Sequence, residues 1–455
     1  MSKSAVLAVP EVAIDVLEAG GTALAGHRGL PIDAIGFSTA SLESYSFAGS
    51  DPVVFDAMLV AASVEYADRT VRRPSHGWRR SFSMRLPVYD ASRWQADEVR
   101  SALIDAVGFL TGDDWTFDFY QKTSAPIAVQ SAQFNLSPDT GAVIAYSDGM
   151  DSRAVAGLLN EELGHRLVKV RLGTMTPKRR RGVAQPVPFA GVPYELSNIG
   201  SNKESTARNR GFKFASIAGV AAYLCGASEI IIPESGQGAI GPALVGVAHA
   251  YPDYRNHPSF TGKMERYFRA LFERDIRFRF PRLWHTKGQT LREYASLAQG
   301  NDWWDTRSCW RGSRWVSISG TWRQCGVCAA CMLRRMSVHA AGLQEAPDVY
   351  VATNLSAPSM AEAVEPGFRH AGKSFAEYAH AGFLHLDHLA DLADDAARSE
   401  VRAHAFQLGR AIGAAVEETE SNLRNLLKQH KTEWENFMDS LGGCSFLAER
   451  RSGKL

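Results

Sequence analysis

The sequence predicts an α/β protein built around a parallel sheet, with an N-terminal α+β domain before it and a helical region after it. Three stretches carry that expectation. The first, Gly141–Leu163, reads GAVIAYSDGMDSRAVAGLLNEEL. Its apolar run at 142–146 is of the kind that makes a buried parallel strand. The run breaks at Ser147, Asp148 and Gly149, after which Val155, Leu158, Leu159 and Leu163 recur at helical spacing and Gly164 offers a stop. The second, LVKVRL at 167–172, returns as a strand and so closes a βαβ unit, which implies a parallel sheet with a right-handed crossover. The third is the chain past Glu345, which becomes predominantly helical and charged, especially from Ser374 to Met438, without a sustained heptad.

Length and composition narrow the classes. A chain of 455 residues has room for two or three domains and a large core. Its net charge of +1 provides no global field that would commit it to nucleic acid or to a membrane. The start, MSKSAVLAVPEVAIDV, has no signal-peptide pattern, and no apolar run is long enough for a bilayer span, so a soluble cytoplasmic protein is expected.

Before the sheet, DPVVFDAMLVAASVEYADR has a helix start with Asp51 as cap and Pro52 in the first turn. SFSMRLPVYD alternates as a strand, Trp94 to Leu110 reads as a second helix ended at Thr111-Gly112, and DWTFDFYQ and PIAVQSAQFNL are further strand candidates. The turn-rich run Ser137 to Gly141 marks a boundary. The expected domains are 1–136, 137–344 and 345–455. Within the second, Met175–Pro193 reads as a mobile basic loop with Lys178 to Arg181 at its centre. Ala207–Leu224 is a helix, EIIIPE at 229–234 a third parallel strand, Gly262–Asp275 an amphipathic helix and Ile276–Phe280 another strand. Thr286 caps a helix through Leu297, and a further helix covers 331–342.

Three constellations carry chemistry. In SDGMDS at 147–152, a strand turning into a helix gathers unpaired backbone N–H groups, which is a phosphate site. Ser147 and Ser152 add hydroxyls, and the Asp151 carboxylate can hold a phosphate-bound metal ion. The bland alternative is a Ser/Gly turn without a ligand. Cys309, Cys325, Cys328 and Cys331 suit tetrahedral Zn²⁺ in a closed structural site, with Trp310 and Trp322 on the loop between the first two; an iron–sulfur cluster has compatible spacing. Cys225 reads as packing and Cys444 as unliganded. Finally come single polar residues: Arg208 and Asn209 in TARNRGFKF, Glu234 after EIIIP, His257-Pro258 after YPDYR, and Lys287 in HTKGQTL. Arg208 or Lys287 can neutralise phosphate, and Glu234 would stand at a strand's C-terminal end, where a ligand crevice lies.

SDGMDS resembles the SGGxDS loop of the PP-loop ATP pyrophosphatases, which have the adenine-nucleotide alpha-hydrolase-like fold. Together with ARNR at 207–210, YPDYR at 251–255, TKG at 286–288 and SCW…CGVCAACMLRR at 308–335, it resembles the QueC family of 7-cyano-7-deazaguanine (preQ0) synthases over roughly Gly141–Leu343. The resemblance implies ATP, Mg²⁺ and Zn²⁺ as cofactors and 7-carboxy-7-deazaguanine (CDG) as substrate, adenylated and then attacked by an amine. It implies Ser147, Asp148, Gly149, Met150, Asp151 and Ser152 around the ATP phosphates and Mg²⁺. Asp151, Arg208 and Lys287 would do the catalytic work, and the four cysteines would hold zinc. Asp148 departs from the family, standing where the loop normally has glycine. EIIIPESGQG also lacks the family's Gly-x-Asn then Asp pattern. With its added N-terminal domain and tail, the chain resembles the extended QueC-like components of Qat-type antiphage systems and the related CBASS type, in which a partner protein would supply the amine. An ordinary preQ0 synthase for queuosine biosynthesis and a catalytically weakened nucleotide-binding scaffold are the alternatives.

Overall fold

A computed structural model describes residues 11–37, 51–75, 77–124, 139–147, 149–172, 190–192, 194–197, 203–246, 250–298, 300–312 and 316–451. Asp148, the 126–136 strand candidate and the basic run at 178–181 lie outside them. In chain order the strands are β1 (Glu11–Leu17), β2 (Arg28–Pro31), β3 (Ile35–Phe37), β4 (Ser81–Val88), β5 (Asp114–Gln121), β6 (Ala142–Ala145), β7 (Leu167–Leu172), β8 (Ala190–Val192), β9 (Tyr194–Leu196), β10 (Glu229–Ile231), β11 (Arg277–Arg279), β12 (Ser317–Ile318) and β13 (Thr321–Trp322). The main helices are α1 (Pro52–Thr70), α2 (Asp97–Thr111), α3 (Met150–Leu158), α4 (Arg210–Cys225), α5 (Pro258–Phe272), α6 (Lys287–Ala295), α7 (Ala329–Ala340), α8 (Lys373–Asp391), α9 (Arg398–Ile412) and α10 (Val416–Leu441).

These elements form two compact units that are discontinuous in sequence. One comprises Met1–Tyr146, Glu162–Ile232 and Ala248–Arg279; the other comprises Ser147–Glu161, Pro233–Val247 and Phe280–Leu455.

The first unit holds two larger sheets, ordered β2-β1-β4-β5 and β11-β10-β6-β7-β8, in which every pairing is parallel, and an antiparallel pair of β3 with β9. The expected parallel sheet at 142–172 is therefore present, and β10 pairs with β6 in it. The N-terminal region differs from the α+β expectation, because β4 and β5 are joined by two helices, Ala91–Gln95 and α2, and lie parallel, as a crossover requires. Residues 190–192 also differ: they sit at the sheet edge as β8 instead of continuing a loop. α1 starts as its sequence predicts, with the Asp51 carboxylate accepting the Val53 N–H at 3.0 Å, and α2 stops at Gly112 with φ 68°. One apolar core joins both sheets through the helices. It contains Ile14 and Phe82 from one sheet, Val143 and Ile230 from the other, and Val60, Leu103, Val220 and Phe268 from α1, α2, α4 and α5. α4 approaches α5 so closely that a Cβ on Gly219 would fall 2.3 Å from the Phe268 ring.

A buried ionic cluster crosses this unit. Arg80, 3% exposed, pairs with both Asp68 and Asp113, contacting the latter's Oδ2 at 2.6 Å, and donates to the Val71 carbonyl at 2.6 Å. Arg73 joins Asp113 at 2.9 Å.

In the second unit α10 packs on α7, α8 and α9. Its Leu423, Leu426, Leu427, Trp434, Phe437 and Met438 are buried at helical spacing, which explains why the charged tail folds. His430 is fully buried in the same helix; its Nε2 lies 2.8 Å from the Leu386 carbonyl and its Nδ1 2.8 Å from Gln237 Nε2. Among the described residues no helix is long and apolar enough to cross a membrane.

Two stability predictions follow from these buried groups. Arg80→Met leaves Arg73 alone against two buried carboxylates, and denaturant unfolding should show a loss of about 3–5 kcal/mol. Burial pushes His430 down to about 4, below the ~6.5 of an unfolded histidine. Between those values only the unfolded chain binds the proton, so stability should fall as pH drops from about 6.5 toward 4. Melting curves across that range should be flatter for His430→Gln than for the wild type.

Candidate functional site

In the second unit the chemistry starts at the loop before α3. The Ser147 hydroxyl accepts the Gly149 N–H at 3.1 Å and lies 3.1 Å from Ser152 Oγ. Ser152 is 3% exposed; its Oγ accepts the Ser147 N–H at 3.1 Å and lies 3.0 Å from the Ser147 carbonyl and 3.1 Å from that of Gly149. Ser152 thus knits the loop. Gly149 is the residue before the helix, and the Arg153 N–H is the first to return, to its carbonyl. The amides of residues 150–152 therefore precede the ladder and give the loop end its partial positive charge. The Met150 side chain is buried with Ala154, Leu291, Tyr294, Trp303 and Val338, leaving only its backbone for a ligand.

Asp151 forms an ion pair with Lys287, the first residue of α6. The two lie far apart in sequence and are brought together by close packing of α3 on α6, where a Cβ on Gly157 would fall 2.2 Å from the Tyr294 ring. The turn bearing Lys287 is itself capped. Thr286 Oγ1 accepts the Gln289 N–H at 3.1 Å and Gln289 Oε1 accepts the Thr286 N–H at 2.9 Å, a reciprocal capping box. The Lys287 N–H donates to Gln237 Oε1 at 2.7 Å, and the Thr286 hydroxyl donates to Glu433 Oε1 at 2.6 Å. Burial pushes the Glu433 carboxyl up. Glu234 folds over Gly238, where a Cβ would fall 2.3 Å from its carboxylate.

Cys309, Cys325, Cys328 and Cys331 meet in the same unit, all four sulfurs within 4.8 Å of one another. The Cys325 and Cys331 sulfurs are 3.7 Å apart; a tetrahedron of Zn–S bonds of about 2.3 Å would separate sulfurs by about 3.8 Å. The donor set is therefore compatible with one zinc ion. Cys328 precedes α7 and Cys331 lies in its first turn, where the helix field favours thiolates. Cys309 is held below the ordinary thiol range because Cys325, Cys328 and Cys331 donate to it, whereas burial pushes Cys331 up. The intervening loop turns at Ser319 (φ 50°) and Gly320 (φ 79°) between β12 and β13, and it presents Trp310 and Trp322 to solvent. Cys444 is exposed outside the cluster.

The first unit holds the other motif residues. Arg208 donates to the Tyr251 carbonyl at 2.7 Å, faces Asp253 at 3.8 Å, and lies 5.1 Å over the Trp78 ring. The ARNR and YPDYR segments thus meet. Burial opposes ionisation of Asp253, yet Arg255 and Arg208 hold its carboxyl below the usual range. Asn209 is 3% exposed, and its N–H donates to Asp68 at 2.7 Å. A cavity of about 680 Å³ opens beside it, lined by Arg69, Lys203, Arg210, Lys213 and Phe214 among others. His257 accepts the Ser259 N–H at 3.1 Å and so serves as the cap of α5. Cys225 sits buried on α4, with its thiol pushed up to about 12 by burial.

Residues 192–342 match the family model described as queuosine biosynthesis protein QueC. The match supports a QueC-like, ATP-utilising synthase for this stretch. It contains ARNR, YPDYR, TKG and the four cysteines, while the 147–152 loop lies upstream of it. A comparison with curated proteins gave no match.

Sequence reasoning passed over Gln237, His430 and Glu433. Gln237 sits in a Gly-rich loop and the other two on a charged helix, and no local pattern tied them to Lys287. The T-x-x-Q capping box at 286–289 was the one readable sign that this turn is built to be held.

Metal analysis of the purified protein should find about one Zn²⁺ per chain. Cys328→Ser should lose it; iron in its place would contradict the assignment.

Proposed function

We propose that the chain is a QueC-like ATP-dependent ligase that adenylates a 7-deazaguanine carboxylic acid such as CDG and transfers it to an amine. The amine belongs to a partner protein in antiphage defence, and the reaction takes place in the cytoplasm. The observation that carries this reading is the Asp151–Lys287 ion pair. It joins the 147–152 loop, which lies outside the matched residues, to the TKG turn, which lies inside them. A carboxylate, an ammonium group, two hydroxyls and a helix N-terminus then stand together, the set that triphosphate chemistry requires.

The carboxylate oxygen of the substrate attacks the α-phosphorus of ATP and pyrophosphate leaves. The amine then attacks the acyl carbon, AMP leaves with the bonding pair, and an amide remains once the nitrogen has lost its proton. Ser147 and the backbone of Gly149 and Met150 would hold the departing phosphates, with Ser152 fixing the loop. Asp151 would hold Mg²⁺, which is bound in such sites by one or two carboxylates together with phosphate oxygens and whose charge stabilises the leaving group. Lys287 supplies positive charge on the same side. Zn²⁺ on the four cysteines would be structural. The added N-terminal and C-terminal elements support the partner-dependent version, because a compact nitrile-forming enzyme needs neither.

The test is incubation with ATP and CDG, with and without ammonium and a co-expressed neighbouring gene product. AMP release that requires the partner, with a mass increase on it, is the expected outcome. Nitrile formation with ammonium alone would make the chain a preQ0 synthase, and absence of ATP turnover would make it a scaffold. Asp151→Asn should lower pyrophosphate release by about a hundredfold, as loss of one preorganised charge-stabilising group does.

A further inference from the structure

We infer that helix α10 belongs to the reaction centre, with His430 and Glu433 acting as positioning residues for Lys287. The inference rests on the reading above in that Lys287 is taken to meet the phosphates. α10 lies beyond the family-matched residues, and the sequence expects it only to pack or to bind a partner.

Two arms run from α10 to the Lys287 turn, and donor directions fix the first of them. The Leu386 carbonyl can only accept, so His430 Nε2 carries the proton and donates to it at 2.8 Å. His430 Nδ1 is then an acceptor and takes an N–H from the Gln237 amide at 2.8 Å. That orients the amide with its oxygen toward the Lys287 N–H, which donates at 2.7 Å. Each bond dictates the next, and a second ring proton would oppose the Gln237 amide hydrogens and break the series. Burial keeps His430 neutral and so keeps the series intact.

The second arm is Glu433, 3% exposed. Its Oε1 accepts the Thr286 hydroxyl at 2.6 Å and the Gln429 amide at 3.0 Å, while Thr286 caps α6. Among the described residues its Oε2 has no hydrogen-bond partner, and it lies against Gly288, where a Cβ would fall 3.0 Å from it and 2.9 Å from Ala340 Cβ. Burying a carboxylate with one oxygen unpaired is costly. A core filler on α10 would avoid that cost; a group that must hold Thr286 and crowd Gly288 would not. Lys287 is thereby fixed at its backbone from one side and at its cap from the other, which aims its ammonium at Asp151.

Two readouts test this. The first is the rate at which an amine-acylating reagent modifies Lys287 in the full-length protein, followed by peptide mass spectrometry. Glu433→Ala and His430→Ala should each raise that rate severalfold relative to the other lysines, and Glu433→Gln, which keeps an acceptor for Thr286, should restore it. Unchanged Lys287 labelling in both alanine variants would overturn the inference. The second is pyrophosphate release: Glu433→Ala should lower it at least tenfold, and Glu433→Ala combined with Lys287→Ala should be no slower than Lys287→Ala alone. Additive losses would mean that Glu433 acts by some route other than Lys287 and would overturn its positioning role. If the wild type releases no pyrophosphate while labelling responds as expected, the proposed reaction fails and the positioning stands.

Discussion

The Asp151–Lys287 ion pair is the interaction on which the packing of α3 against α6 in the second unit depends. Both groups are largely shielded from water, with side-chain exposures of 16% and 8%, so each needs the other or a ligand of equivalent charge. The pair also explains the packing around it. α3 can bring Asp151 to α6 only because Gly157 lets the Tyr294 ring lie against the helix backbone. Tyr294 in turn donates to Asp302 at 2.5 Å, and Arg153 donates to the Asp302 carbonyl at 2.8 Å, so α3 and α6 are tied to a common third segment. A binding loop whose charges are held by helices, and not by the loop itself, keeps its geometry when ligands come and go.

In the first unit the corresponding constraint is the Asp68–Arg80–Asp113 cluster. Asp68 belongs to α1, Arg80 precedes β4 and Asp113 precedes β5, and the same Asp68 accepts the N–H of Asn209 at the start of α4. The ARNR segment is thus seated on N-terminal residues. Trp78 works the same way, with Arg73 stacked 3.8 Å over one part of it and Arg208 5.1 Å away. Residues upstream of the matched stretch thus support a motif within it.

Much of this was legible in local pattern. The βαβ unit at 142–172 announced itself by an apolar run, a Ser/Gly break and a 3.6-residue period, and the cysteine spacing led to one compact donor set. Asp51-Pro52 and Thr286 named two helix starts correctly because capping is decided by residues adjacent in sequence. The misreadings concern pairing across distance. Whether DWTFDFYQ runs parallel to SFSMRLPV depends on the route of the chain between them, and the three residues of β8 have too little pattern to stand out from a loop. Glu433 and His430 were illegible for a related reason: a polar residue on a charged amphipathic helix looks solvated until the partner that buries it is known. Their spacing relative to Leu426, Leu427, Trp434 and Phe437 places them near the apolar face, yet nothing in that period tells packing from function.

The cysteine site and the lysine turn are two ends of one lever. α7 begins at Cys328 and ends at Ala340, whose Cβ limits the space at Gly288 and whose carbonyl accepts from Arg292 of α6. Its twelve residues span about 18 Å at 1.5 Å per residue. A helix is stiff over three turns, so fixing one end fixes the other. Arg334 at its middle is fully buried and held by Glu345 at 2.6 Å and Thr306 at 2.6 Å, which removes rotation about the axis as a remaining freedom. A metal on the four thiolates would therefore act on Lys287 mechanically, by setting where α7 starts. On the proposed reading, a metal site with no open coordination position would set the geometry of the lysine turn at the far end of the helix.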